Sequence, residues 1–391
     1  MRKHVRILST LTSGAVLVVV ATGCASPSSA GSAGATDAPE IGAVNLSDAC
    51  PSTIVVQTDW NPSSEHGHLY EMLGPDPVID ASSMTVSGGL YSGGEYTGVD
   101  LEIRAGGPAI GFQSVSTQLY ADPAITLGYV QTDGQIFASA DQPTVSVMAP
   151  LEVSPQIIMW DPASYPDVET IADLGKTDAV VRYYGGAPFM DYLIDSGSVR
   201  ADKADGGYDG TPASFVASDG KDAQQGFASS EPYLYENEIA EWGKPVAYEL
   251  VADAGYPNYT ATMSVRTGDL GSLDACLTKL VPVMQQAEVD FYSDPSPVVD
   301  LILDAVDAYD NGIVYTRGAA EFGVSSVIAD GLVSNGDDGA IGDFDPERMQ
   351  RMLDIVTDMA AASGTDIEPG LTADDLYTNT YIDPAIGLPA Q

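Results

Sequence analysis

The chain switches between a strand rhythm and a helix rhythm, and it does so in two successive blocks. In the first block, "STIVVQTDW" (52–60) reads as a buried strand and "EHGHLYEMLG" (65–74) opens a short helix. "DLEIRAGG" (100–107) is a strand ending in glycines, and "PAIGFQSVSTQLYAD" (108–122) a turn and helix. "AITLGYVQT" (124–132) and "VSVMAPL" (145–151) are further strands. In the second block, "PQIIMW" (155–160), "DVETIADLG" (167–175), "DAVVRYYGG" (178–186) and "APFMDYLIDSG" (187–197) alternate strand and helix again. "KDAQQGFASSEPYLYENEIAEW" (221–242) carries a short helix, a strand end and a second helix, and 245–255 closes the block. Interleaved strands and helices predict α/β units with parallel sheets.

From 268 onward the segments are long and helical, with Leu273, Cys276, Leu277, Leu280 and Met284 on one face. They have no third sheet to cover, so they are expected to pack back on the first unit. The chain then leaves lobe 1 near 151–155 and returns near 256–262. The expected organisation is lobe 1 over 50–153 and 260–391, lobe 2 over 154–259, and a two-crossing hinge between two α/β lobes. The length suits two cores better than one.

The N-terminus sets the expected compartment. "MRKHVR" is a basic n-region and "ILSTLTSGAVLVVV" an apolar stretch too short to span a bilayer stably. "ATGC" (21–24) looks like a bacterial lipobox, with Ala21 where leucine is usual. Residues 1–23 are expected to be a lipoprotein signal peptide, Cys24 the lipidated residue, and 24–49 a flexible tether. Ordinary secretion with cleavage nearby is the alternative. In an oxidising compartment Cys50 and Cys276 are left as a disulfide pair, against the alternative of two buried thiols. The chain has 56 acidic and 15 basic residues. A surface so negative repels nucleic acid and anionic lipid heads.

In open α/β sheets, ligands bind beyond the carboxyl ends of strands. Four such ends are unusual here: "TDWNPSSEHGH" (58–68), "AGGPAI" (105–110), "YYGGAPF" (183–189) and "ASSEPYLYE" (228–236). Their glycines allow close approach and their helix starts offer free N–H groups; each glycine pair is equally consistent with plain turn chemistry. The candidate ligand-binding residues are Asp59, Trp60, Glu65, His66, Gly106, Gly107, Pro108, Tyr184, Gly185, Gly186, Ser230, Glu231 and Tyr233. Aromatic faces with carboxylates, and scarcely any Arg or Lys, suit a flat heterocycle carrying amino groups. A small anion held by N–H groups alone is the rival ligand.

His66 and His68 are two apart, and a helical zinc pair wants three or four. Neither a metal nor a cofactor is expected, and no nucleophile elbow or P-loop points to an enzyme. His66 is expected at the first helical turn, facing the cleft, with Gly67 giving a ligand room. His68 is expected at the surface or behind the site.

"VVQTDWNPSSEHGHLYEMLG", "VDLEIRAGGPAI", "SPQIIMW", "YGGAPFMDYL", "QQGFASSEPYLYENE" and "VADAGYPNYTATMSVR", in that order over about 52–266, resemble the substrate-binding lipoproteins of ABC importers. The branch groups sulfonate, taurine and nitrate binders with thiamine-pyrimidine-precursor and riboflavin binders, and "SEPY" is similar to the pyrimidine side. The resemblance implies a type II periplasmic-binding-protein fold. It also implies import through a permease with a cytoplasmic ATPase, as a monomer held to the outer face of the membrane. By position it implies that Trp60, His66, Gly106–Pro108, Gly185–Gly186 and Glu231 contact ligand. The Gly/Asp-rich stretch 206–224 and the insertion 76–98 depart from the pattern. A related eukaryotic branch makes the pyrimidine from its own histidine, but no lysine lies at the four strand ends and no cysteine-rich segment is present. A surface-anchored interaction or sensor module is the reading of another class.

Overall fold

A computed structural model describes residues 39–336 and 338–389. The signal peptide over 1–23, Cys24 and the tether up to residue 38 lie outside the described residues. Residues 40–49 do not behave as a tether. Leu46 is fully buried, its N–H bonds Thr97 O at 2.8 Å, and Lys279 Nζ holds Asp48 at 2.6 Å. The apolar Leu46 docks this stretch on the first sheet.

That sheet has seven strands: β1 (Thr53–Gln57), β2 (Val78–Asp80), β3 (Thr85–Ser92), β4 (Glu95–Arg104), β5 (Leu127–Val130), β6 (Thr144–Met148) and β12 (Thr262–Arg266), ordered β2-β3-β4-β1-β5-β12-β6. The second has five: β7 (Gln156–Trp160), β8 (Val181–Arg182), β9 (Ala204–Asp205), β10 (Ala223–Phe227) and β11 (Ala247–Leu250), ordered β11-β7-β10-β8-β9. β1 lies between two parallel neighbours, β4 and β5, which is why "IVVQ" is buried along its length. In β7, Ile157 and Met159 join one core while Ile158 and Trp160 join another, as the two-residue strand period dictates.

Neither sheet is purely parallel, which corrects the sequence expectation. β12 is antiparallel to both β5 and β6, and β7 to both β10 and β11. β12 is the strand on which the chain re-enters the first sheet. β10 is also a strand where a short helix was expected. The 76–98 insertion forms β2, β3 and the start of β4, an antiparallel extension of the first sheet.

The helices preceding β12 are α1 (Gly67–Glu71), α2 (Val115–Ala121), α3 (Thr132–Phe137), α4 (Ile171–Leu174), α5 (Pro188–Asp195), α6 (Ala213–Ala217) and α7 (Glu231–Tyr233). Those after it are α8 (Leu270–Ser293), α9 (Ser296–Tyr309), α10 (Arg317–Ala329) and α11 (Pro346–Ser363). α8 and α9 pack on α1, as expected for a return to the first unit. Cys276, Leu277, Leu280 and Met284 are buried, and Cys276 is bonded to Cys50 with Cα atoms 4.7 Å apart. α11 departs from the expectation, because it packs on α3 of the first unit and on α5 of the second.

α11 carries the residue that joins the two crossings. Arg348 is 7% exposed. Its Nη1 donates to Glu152 O on the outgoing crossing. Its Nε donates to Pro257 O at 2.7 Å and its Nη2 to Asn258 O at 2.8 Å on the returning one. The guanidinium also lies over the Tyr259 ring, 3.5 Å from its centroid. Thr260 Oγ1 and Ser154 Oγ bond the same two crossings directly.

Arg348→Ala leaves three main-chain carbonyls, that of Asn258 buried and the other two partly so, without their donor and should cost about 2–4 kcal/mol in urea unfolding. Arg348→Lys should recover only part of that, since one ammonium cannot reproduce the fork. Equal stability of all three proteins would remove Arg348 from this role. Cys276→Ser should cost roughly 2–4 kcal/mol, measured against the oxidised wild type.

Candidate ligand cleft

The loop after β1 is shaped by the loop after β4. Gly106 N–H donates to Trp60 O and Gly107 N–H to Asp59 O, both at 2.9 Å. A Cβ on Gly106 would lie 2.3 Å from Thr58 O. Gly107 has φ +55°, and a Cβ there would lie 2.8 Å from the Trp60 ring. These glycines therefore let two loops lie against each other. Their N–H groups are spent on main-chain carbonyls, contrary to the expectation of free donors. Gly185 behaves alike, donating to Gly206 O at 3.1 Å. Gly186, at φ +86°, turns the chain into α5.

The two histidines are both buried. His66 is 3% exposed, its Nε2 sits 3.1 Å from Asp59 Oδ1, and its ring packs against Tyr129. Its Nε2 holds Asp59 in place, and its Nδ1 is buried without a hydrogen-bond partner. His68 is 1% exposed, which excludes the surface and leaves the alternative position, behind the site. Its Nδ1 lies 3.0 Å from Glu288 Oε2 and its Nε2 3.1 Å from Tyr129 OH. Gly67 serves the same packing, because a Cβ there would meet Phe291 of α8 at 2.3 Å. It gives room to α8, not to a ligand. Among the described residues no cluster of His, Cys, Asp and Glu is arranged to hold a metal ion.

The strand ends of the second sheet bring the other half. Tyr184 N–H donates to Gln225 Oε1 at 2.7 Å, and its 37%-exposed ring meets Tyr208 edge-on at 5.0 Å. Glu231 Oε2 accepts from Phe227 N–H at 2.7 Å and from Ser230 Oγ at 2.6 Å, so Ser230 positions Glu231. Tyr233 turns away from this group and packs on α10, its ring 5.6 Å from Phe322. Pro108 lies in the 3-10 turn Gly107–Ile110.

The two halves touch. Ser229 Oγ, from the end of β10, donates to Glu65 Oε1, from the turn that opens α1. Burial holds the Glu65 carboxyl above the usual glutamate range; the Ser229 hydrogen bond and His66 oppose this, while Asp59 and Glu231 add to it. Burial likewise raises Glu231, against the hydrogen bonds from Ser230 and Phe227. Tyr184 is raised by burial, then by Asp209 and Glu231. Asp59, Glu65, Glu231 and Tyr184 therefore form one electrostatic group that spans both sheets. Among the described residues, His66 is the basic side chain that acts on Glu65, and no Lys or Arg is among the leading influences on Glu65, Glu231 or Tyr184.

Sequence reasoning missed Ser229, Tyr208 and Phe112. Ser229 sits beside a chosen residue, and Tyr208 falls in the Gly/Asp-rich stretch 206–224 that departs from the family pattern. Phe112, whose ring is 6.0 Å from Trp60, follows a glycine in what reads as a plain turn. A cavity of about 840 Å³ lies elsewhere, between α1, the β3–β4 turn and α8–α9. There Glu71 is raised to about 7 by burial and then by Asp290 and Asp294. The 76–98 insertion lines this outer cavity through Pro77 and Tyr91–Gly94.

No family model matches the chain, and no curated protein matches it. Solved structures do match. The structure is similar to the periplasmic aliphatic sulphonate binding protein SsuA from Escherichia coli, with TM-score 0.53 and 15% identity over 81% of this chain and 88% of that one. It is also similar to a protein from Bordetella bronchiseptica RB50, with TM-score 0.51 and 12% identity over 85% and 96%. This chain has the periplasmic-binding-protein fold. At such identities the likeness is one of fold, and the side chains at the strand ends are this chain's own.

A carboxyl raised in the folded state binds its proton more tightly there than in the unfolded chain. The stability it contributes is present at low pH and lost as pH rises through the folded pKa. Glu65, Glu231 and Glu71 all act in this direction, raised above the ordinary glutamate value. The exposed aspartates Asp48, Asp80 and Asp202, held below the ordinary aspartate value, act only at lower pH. Stability of the ligand-free protein should fall from about pH 5 to about pH 7.5, and Glu65→Gln should flatten the fall and raise the neutral melting temperature. A stability that rises over that interval contradicts this assignment.

Proposed function

We propose that this chain is an extracytoplasmic solute-binding protein of an ABC importer that captures a small nitrogen heterocycle, such as a thiamine pyrimidine precursor. The observation that carries the reading is the pair Glu65 and Glu231, buried carboxyls contributed by opposite sheets, with His66 as the basic side chain acting on Glu65. Carboxylates accept hydrogen bonds from ring N–H and amino groups, whereas they repel a sulfonate or nitrate. The exposed ring faces of Trp60 and Tyr184 suit a flat ligand. The fold supports the transport role, and SsuA is by name a periplasmic binder of a small solute.

In this reading the lobes are 50–153 with 260–391, and 154–259. Ligand binding favours the closed arrangement, which the permease and its ATPase read. The chain catalyses no reaction and needs no cofactor. A lipid on Cys24 holds it as a monomer at the outer face of the cell membrane.

The test is a thermal-shift screen on protein beginning after Cys24, with thiamine, its hydroxymethyl- and formylamino-pyrimidines, riboflavin, purines, taurine, alkanesulfonates and nitrate. A ligand at a hundred times its Kd should stabilise by about 2.7 kcal/mol. Glu231→Gln should then weaken an amine-bearing ring by about 1.5–3 kcal/mol in titration calorimetry. A hit confined to the sulfonates or nitrate would reverse the ligand class and keep the importer role. A panel without hits would favour an interaction or sensor module.

A further inference from the structure

We propose that Phe112 and Trp60 form an aromatic corner that takes the face of the ligand's ring and selects ring compounds over open-chain ones. The inference rests on the heterocycle reading of the cleft and adds to it a residue and a selectivity.

Phe112 is 67% exposed and Trp60 38% exposed. Their ring centroids are 6.0 Å apart and their planes are inclined by 50°, so the rings are two walls of a corner rather than a stacked pair. Trp60 rests on Gly107, where a side chain would collide with it. That contact backs one side of the indole.

The backbone of Phe112 argues that the ring is there for a purpose. Its φ is +59°, directly after Gly111 at +62°. Phe112 N–H donates to Gly107 O at 2.9 Å, and Gly111 N–H to Pro108 O at 3.1 Å, which closes the turn. A bulky residue in the left-handed region is strained, while glycine or asparagine would sit there with little strain. A turn that only had to reverse the chain would be more stable without phenylalanine. The side chain also gains little packing in return, given its exposure. Strain without burial is the signature of a group held ready for something else.

The location says what that is. The loops bearing Trp60 and Phe112 leave the carboxyl ends of β1 and β4, neighbouring parallel strands. This is the edge at which open α/β sheets hold ligands. Asp59, beside Trp60, is within electrostatic reach of Glu65, and Glu65 of Glu231. Carboxyls recognise a flat amine-bearing ring along its edge, and aromatic walls recognise it on its face. A ring with amino substituents meets both requirements, and an aliphatic amine meets only the first.

The probes are thiamine, hydroxymethyl-aminopyrimidine and, as the open-chain amine, putrescine. Their affinities would be measured by calorimetry for wild type, Phe112→Ala, Phe112→Gly and Phe112→Leu. Ring affinity should fall about tenfold in the alanine and glycine variants and less in the leucine variant. The preference over putrescine should narrow accordingly. Phe112→Gly should melt at or above the wild-type temperature, which separates lost binding from lost folding. Ring binding by wild type with an unchanged affinity in Phe112→Gly overturns the corner and leaves the solute-binding reading intact. Unchanged affinity with lost uptake in cells assigns Phe112 to permease docking and also overturns it. Wild type that binds neither ring probe takes both readings down together.

Discussion

One guanidinium ties together the two crossings between the sheets. Arg348 reaches main-chain carbonyls on the outgoing and the returning crossing at once, and stacks on Tyr259 between them. Buried charge is costly unless every donor finds a partner. Here the partners are carbonyls, which cannot be neutralised or turned away as side chains can. The tie therefore fixes the crossings as a pair. Any rotation of one sheet against the other has to use the residues flanking Arg348, since the carbonyls it holds cannot separate without breaking its fork.

On the far side of that tie, the contact between the sheets has the opposite character. Glu65 and Ser229 meet through one hydrogen bond, where burial, with Asp59 and Glu231 nearby, raises the proton affinity of Glu65. Such an arrangement is poor for stability. Replacing it with apolar residues of similar size would remove the desolvation cost. The molecule thus joins a well-paired cation at the crossings to buried carboxyls at the strand ends that burial alone disfavours as anions.

Much of this was legible in the sequence, for identifiable reasons. The strands show as apolar runs because β1, β6 and β7 are buried on both faces. The loops at their ends show as glycine-bounded segments because turn chemistry is local. Cys50 and Cys276 show because cysteine is rare here. Apart from the local misreading of β10 as a helix, the failures at the site were long-range. Gly67 and His68 face Phe291 and Glu288, more than two hundred positions away, so nothing beside them in the chain reveals their partners. The spare N–H groups of Gly106 and Gly107 vanish for a similar reason, being taken by a loop about fifty residues earlier. Arg348 lies in "DPERMQRMLD", which reads as the solvated start of a helix. The antiparallel entry of β12 depends on which side the chain returns from, and periodicity does not encode that.

The strand order also has a kinetic meaning. β12 is inserted between β5 and β6, yet it follows the entire second sheet in the chain. A chain made from its N-terminus has every strand of the second sheet in hand before β5 and β6 gain the neighbour that separates them. The second sheet is one uninterrupted stretch and can assemble by itself. The first must wait, with two unpaired strand edges, until residue 262 and the helices behind it arrive. Such edges are sites for pairing with other chains. The interval in which they are open is set by synthesis of the second block, so the burden of chaperoning falls on the half of the molecule that begins first and finishes last.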